Sequence, residues 1–247
     1  ALGSQNMVVT GVLLIAVGII VGVINISGIG ITFSQLIMEW SDNSLLIAII
    51  LIALASLVLG MGLPVTASYV VLSVLSAPAL VGLMLSPEMA ALVNAGIEIP
   101  EVAMYLLSAH LIIFWLSQDS NLTPPVCLAA FAAAAIAKTP PMKTGLMSWK
   151  VGKGMYIIPL LFAFTPLITG TWFEKFEVFS FALLGIMCFS IVMEGYWDKK
   201  MNILERILFG IAAVLLLCQD SAFNIQSSFE VFQNTHLVGL FILVLVM

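Results

Sequence analysis

Apolar residues run along this chain in long blocks, and polar residues are confined to short intervals between them. The blocks cover about 8–27, 45–59, 63–84, 102–118, 126–137, 154–172, 178–194, 203–219 and 236 onward. A stretch of about 20 such residues crosses a hydrocarbon core of about 30 Å as a helix. Irregular backbone cannot face lipid, and a barrel would show short alternating segments that are not seen here. The pattern predicts an all-α polytopic membrane protein. Two intervals break apolar stretches instead of separating full spans: GMGLP at 60–64 and DSNLTPP at 119–125.

Composition agrees. Of 247 residues 62% are hydrophobic and 9% charged, against about 25% charged in an average soluble domain. All eight Lys and Arg residues follow position 137: Lys138, Lys143, Lys150, Lys153, Lys175, Lys199, Lys200 and Arg206. By the positive-inside rule, loops 138–153 and 195–206 are cytoplasmic, and the two spans between them make the assignments agree. Segments 172–177 and 220–235 then lie outside, as does the acidic loop 86–101 with Glu88, Glu98 and Glu101. Stretch 45–84 reads as a re-entrant hairpin dipping in from outside and turning at 60–64, after a crossing at 8–27 from inside to outside. Asn25 and Ser27 end that first span or mark a weaker break. Cys127, Cys188 and Cys218 lie far apart in apolar stretches and read as small core residues. His110 and His236 are too distant to suggest a metal centre. The aromatic residues Trp40, Trp149, Tyr156, Trp172, Tyr196 and Trp197 read as interface anchors. The chain begins at Ala1 and stops at Met247 inside an apolar run, so a longer parent protein is expected, and residues 1–7 carry no positive charge of a signal peptide.

The two breaks carry the candidate chemistry. In 60–69 glycine frees the backbone and proline removes a donor, which leaves carbonyls unpaired at membrane depth. Such carbonyls are costly unless something binds them. A sodium ion suits them, with the hydroxyls of Thr66 and Ser68 as further oxygens. Pro64 stands where a helix begins, and a helix N-terminus offers N–H groups and a positive dipole end to an anion. At 119–125 two prolines stop one helix and seed the next, the broken-helix arrangement of secondary transporters. Asp119 is an acid inside an apolar stretch and a functional candidate by default. A plain helix–helix turn and an ordinary short loop are the alternatives at the two places. No phosphate loop, nucleophile elbow or zinc-protease motif occurs, and no Lys or Arg lies in either break.

Three ordered segments, GMGLPVTASYVVLSVLSAPAL, SQDSNLTPPVCLAAFAAAAIA and PMKTGLMSWKVGKGMYIIPLLFAFTP, resemble the large permease subunit of TRAP (tripartite ATP-independent periplasmic) transporters, in particular the fused type. The resemblance covers about 1–170, and 171–247 is similar to the extra C-terminal helices of fused permeases. It implies an elevator-type transporter half. Residues 1–172 would be the second inverted repeat, with the hairpin at 45–84 and the broken helix at 102–137, and 173–247 would be additional, truncated transmembrane helices. It implies sodium-driven import of organic acids such as C4-dicarboxylates across the bacterial inner membrane. Carried over by position, Gly60, Gly62, Thr66, Ser120, Asn121 and Thr123 are expected to hold sodium. Pro64, Thr66, Ser68, Thr123, Pro124 and Pro125 are expected to meet the substrate. Expected partners are a periplasmic substrate-binding protein, the first repeat and small-subunit helices, and membrane lipid, with no nucleic acid and no cofactor beyond the coupling ion. The alternatives are proton coupling, a channel-like or purely structural membrane subunit, and a membrane-embedded enzyme using Asp119 and His110.

Overall fold

The computed structural model describes residues 2–61, 63–97, 99–125, 127–217 and 235–246. Gly62, Glu98, Cys218 and nearly all of the expected outer segment 220–235 therefore lie outside the described residues. The chain divides into two compact units, Ala1–Pro159 and Leu160–Met247.

The first unit opens with α1 (Leu2–Ser27) and α2 (Ile29–Trp40), which form a bent pair at 72°. Gly28 makes the corner: its φ of +71° lies in the left-handed region that a side chain disfavours. The break suspected near Asn25 and Ser27 is thus a sharp one, and the helix beyond it was not expected. Next come α3 (Leu45–Leu59) and α4 (Val65–Met84), packed on each other and joined by the 60–64 turn. By length and composition α4 qualifies as a span, whereas α3 is a shorter apolar helix.

Helix α4 is the centre of this unit and packs on α1, α2, α3 and the later α6. Small residues permit that crowding: Ala67, Ser68, Ser73, Ser76, Ala77 and Ala79 are all buried. The Ser34 hydroxyl of α2 donates to the Leu75 carbonyl at 2.7 Å, satisfying in protein what lipid cannot.

After α5 (Pro87–Asn94), capped by the Ser86 hydroxyl accepting from Met89 N–H, comes α6 (Pro100–Ser117). The single turn α7 (Asp119–Leu122) prolongs it, so the apolar span runs from Pro100 to Leu122. The helix therefore ends later than expected, at Thr123 and not Asp119. Two short helices follow, α8 (Leu128–Ala137) and α9 (Pro141–Val151), packed on each other. Helix α9 occupies what reads in sequence as a basic loop: Pro141 supplies a pre-set first turn, and positions 142–151 hold no proline to stop it.

Helix α10 (Gly154–Phe164) is shorter than its apolar run, because 165–171 folds into turns around Pro166 and Gly170. In the second unit α11 (Trp172–Glu194) is a full span, opened by a capping box between Thr171 and Glu174. It packs on α12 (Ile203–Leu217), which packs on α13 (Thr235–Val246). Cys188, Ile191, Phe209, Ala212, Ala213, Leu216 and Leu243 form the core there. Arg206 donates to the carbonyls of Val192 and Met193, so a cation closes the negative end of α11.

Many large apolar side chains remain outside these cores, among them Ile15, Ile19, Leu54, Phe114, Phe179 and Val214. Soluble monomers rarely expose so much apolar surface. Apolar faces of this extent, on three full-length spanning helices and a bent pair, describe a multi-pass membrane protein.

Candidate functional site

Helix α3 ends at Gly60, whose N–H donates to the Ser56 carbonyl at 2.8 Å. A Cβ added here would lie 2.5 Å from Ser120 Oγ and 2.7 Å from the Ser56 carbonyl oxygen. The reason for glycine is close approach, since its φ of −79° suits any residue. The two breaks foreseen in the sequence therefore touch, at Gly60 and Ser120.

Pro64 forms the N-cap of α4 in extended conformation. It has no side-chain cap to give, and the first helical bond is Ser68 N–H to the Pro64 carbonyl at 3.0 Å. The N–H groups of Val65, Thr66 and Ala67 are therefore the orphan donors of this helix end. Ser68 is buried with an unpartnered hydroxyl, while Thr66 is exposed. Helix α8 opens in the same uncapped manner at Cys127, whose φ is +22°.

Between them lies the second break. Thr123 closes α7 by donating its N–H to the Asp119 carbonyl at 2.8 Å, and the chain continues through the cis Pro124–Pro125 bond. Asp119 is 1% exposed and Ser120 4%. Both carboxylate oxygens of Asp119, the Ser120 hydroxyl and the Asn121 amide nitrogen are buried without a hydrogen-bond partner. Buried polar atoms are normally paired, at a cost of about 1–3 kcal/mol each when they are not. Among the described residues such atoms fall together at Asp119, Ser120 and Asn121, and singly at Ser68, Ser76 and His236. No group of three or more His, Cys, Asp and Glu side chains among the described residues is placed to hold a metal ion.

The break is held from outside by residues that the sequence did not assign to the site. Gly145 of α9 lies so close that a Cβ there would meet Cys127 Sγ at 2.6 Å and Pro124 Cγ at 3.5 Å. A Cβ at Gly152 would lie 3.5 Å from Leu122 Cδ1, an ordinary contact. The Tyr156 hydroxyl lies 2.6 Å from Thr123 Oγ1. Tyr156 reads in sequence as an interface anchor, and only its place just after the glycine pair at 152 and 154 hints otherwise. His110 is engaged elsewhere: its Nδ1 lies 2.9 Å from the Tyr69 hydroxyl, and Tyr69 also meets Phe114 edge to face. It makes no hydrogen bond to Asp119, whose carboxylate oxygens have no partner.

The profile of the tripartite ATP-independent periplasmic transporter family, DctM component, matches residues 3–197. The chain belongs to this family. No curated protein and no solved structure matches it at a significant level. As a DctM chain it is a permease component of a TRAP-type secondary transporter, and the match spans both breaks, α9, α10 and all of α11. The family is one of transporters and not of enzymes. Membership also implies work alongside a periplasmic binding protein and other permease parts. Gly60 and Ser120 of this DctM chain stand in contact, Ser68, Asp119 and Asn121 carry unpartnered buried polar atoms, and Thr66 is exposed.

Proposed function

We propose that the chain is the permease part of a sodium-coupled symporter importing organic acids such as C4-dicarboxylates across a bacterial inner membrane. A periplasmic binding protein delivers the acid. The observation that carries this reading is the contact of two helix breaks around unpartnered buried polar atoms. Sodium binds carbonyl and hydroxyl oxygens at Gly60, Gly62 and Thr66 and at Ser120, Asn121 and Thr123, with the charge of Asp119 close by. Ordering the two loops brings the N-terminal amides of α4 and α8 to the substrate carboxylates, beside Pro64, Thr66, Ser68, Thr123, Pro124 and Pro125. The second-repeat body 1–172 then moves as an elevator carrying ion and acid together.

The test is uptake by the full-length permease with its binding protein in liposomes. Replacing Thr123 or Asn121 by Leu abolishes sodium-driven accumulation while membrane insertion stays normal. Undiminished uptake by both variants would falsify the site. One observation favours a second reading, proton coupling: the buried carboxylate of Asp119 has no hydrogen-bond partner. Accumulation driven by a proton gradient without sodium, and lost in Asp119→Asn, would establish that reading in place of the first.

A further inference from the structure

Serine and threonine hydroxyls on membrane helices ordinarily turn back to a carbonyl of their own helix. In this chain Ser108 donates to Met104, Ser117 to Phe114 and Thr165 to Leu161. Thr123 departs from that habit. Its backbone N–H serves the Asp119 carbonyl, and its own carbonyl accepts from Cys127 N–H at 3.3 Å. Its hydroxyl reaches a side chain 33 positions away, the Tyr156 phenol, at 2.6 Å.

Either oxygen of this pair could supply the proton. With the phenol as donor, Thr123 Oγ1 accepts. Thr123 then keeps its own proton and one lone pair, and a hydroxyl that accepts a bond is a better donor. The framework is tight on one flank of Thr123, where Gly145 leaves no room beside Cys127, and in ordinary contact on the other, where Gly152 lies by Leu122. The corner between α9 and α10 thus grips the break and sets one hydroxyl.

We propose that Tyr156 is a positioning residue for substrate recognition: by relaying its phenol proton to Thr123 Oγ1 it turns the Thr123 hydroxyl into an aimed donor for the carboxylate of the transported acid. This rests on reading 117–127 as a substrate-bearing break.

The experiment uses the full-length permease and its binding protein in liposomes. A panel of small organic acids is offered, and the acid that the wild type accumulates serves as the probe. Tyr156→Phe keeps the ring and removes the relay. Its half-saturation for the acid should rise about tenfold, as for loss of one hydrogen bond to a charged group, while maximal rate and half-saturating sodium stay within about twofold. An unchanged half-saturation in Tyr156→Phe, or a shift in sodium dependence alone, overturns the relay. Thr123→Val separates the two claims: if it is impaired while Tyr156→Phe is normal, only the relay fails. If Thr123→Val also transports normally, the break itself is not the substrate site.

Discussion

At the scale of single residues, the site is defined by what has no room and by what has no partner. Gly60 has no room: any side chain must displace Ser120 or the Ser56 carbonyl. Gly60→Ala should destabilise the contact by about 1–3 kcal/mol, as overpacking does. Sodium-driven uptake by the full-length protein should fall at least tenfold with expression unchanged, whereas Ser120→Gly should restore part of it in the double variant. Failure of that rescue would detach Gly60 from Ser120. Asp119 has no partner: a carboxylate kept ionised and buried costs several kcal/mol unless something compensates it. If sodium is the compensation, Asp119→Asn should raise half-saturating sodium by about tenfold or more while increasing the thermal stability of the sodium-free protein. A variant less stable without sodium, with unaltered sodium dependence, would show the carboxylate to be structural.

At the scale of elements, helix packing here depends on small residues at crossings. Gly185 of α11 lies where a Cβ would sit 2.7 Å from Leu217 Cγ of α12. Gly185→Ala should force α11 and α12 apart and lower the melting temperature of the purified permease by several degrees, for a cost of about 1–3 kcal/mol. Gly210→Ala, with open space around its position, is the control and should leave it unchanged. Much of this layer was legible in sequence, because long apolar runs with proline and glycine punctuation leave few choices in lipid. The helices α3, α4, α6, α11 and α12 fall where those runs place them. What escaped was local and polar. Helix α2 was missed because the first span reads as ending near Asn25 and Ser27 with no apolar block before 45, and α9 because its lysines, used for orientation, suggest a loop. The end of α6 was placed too early because Asp119, Ser120 and Asn121 look like loop residues, yet helical bonding persists to Leu122. The two breaks themselves were visible from composition. Their contact at Gly60 and Ser120, and the reach of Tyr156 to Thr123, depend on tertiary packing over long separations that no local pattern encodes.

At the scale of the whole molecule, the placement of the lysines predicts the orientation by the positive-inside rule. A single cysteine replacing Lys199 should react with an impermeant maleimide only after cells are opened, and one replacing Glu88 should react in intact cells. The native Cys127 and Cys188 are buried and add little background. Labelling on the same side for both would overturn the assigned topology. The contact between Gly60 and Ser120 has one more consequence, thermodynamic in kind. Segments that share van der Waals contact cannot be ordered independently, so a ligand that settles one lowers the entropic cost of settling the other. Whatever affinity one passenger lends to a second must be returned in equal measure. Coupling between passengers can thus arise from a missing side chain, without any direct bond between them.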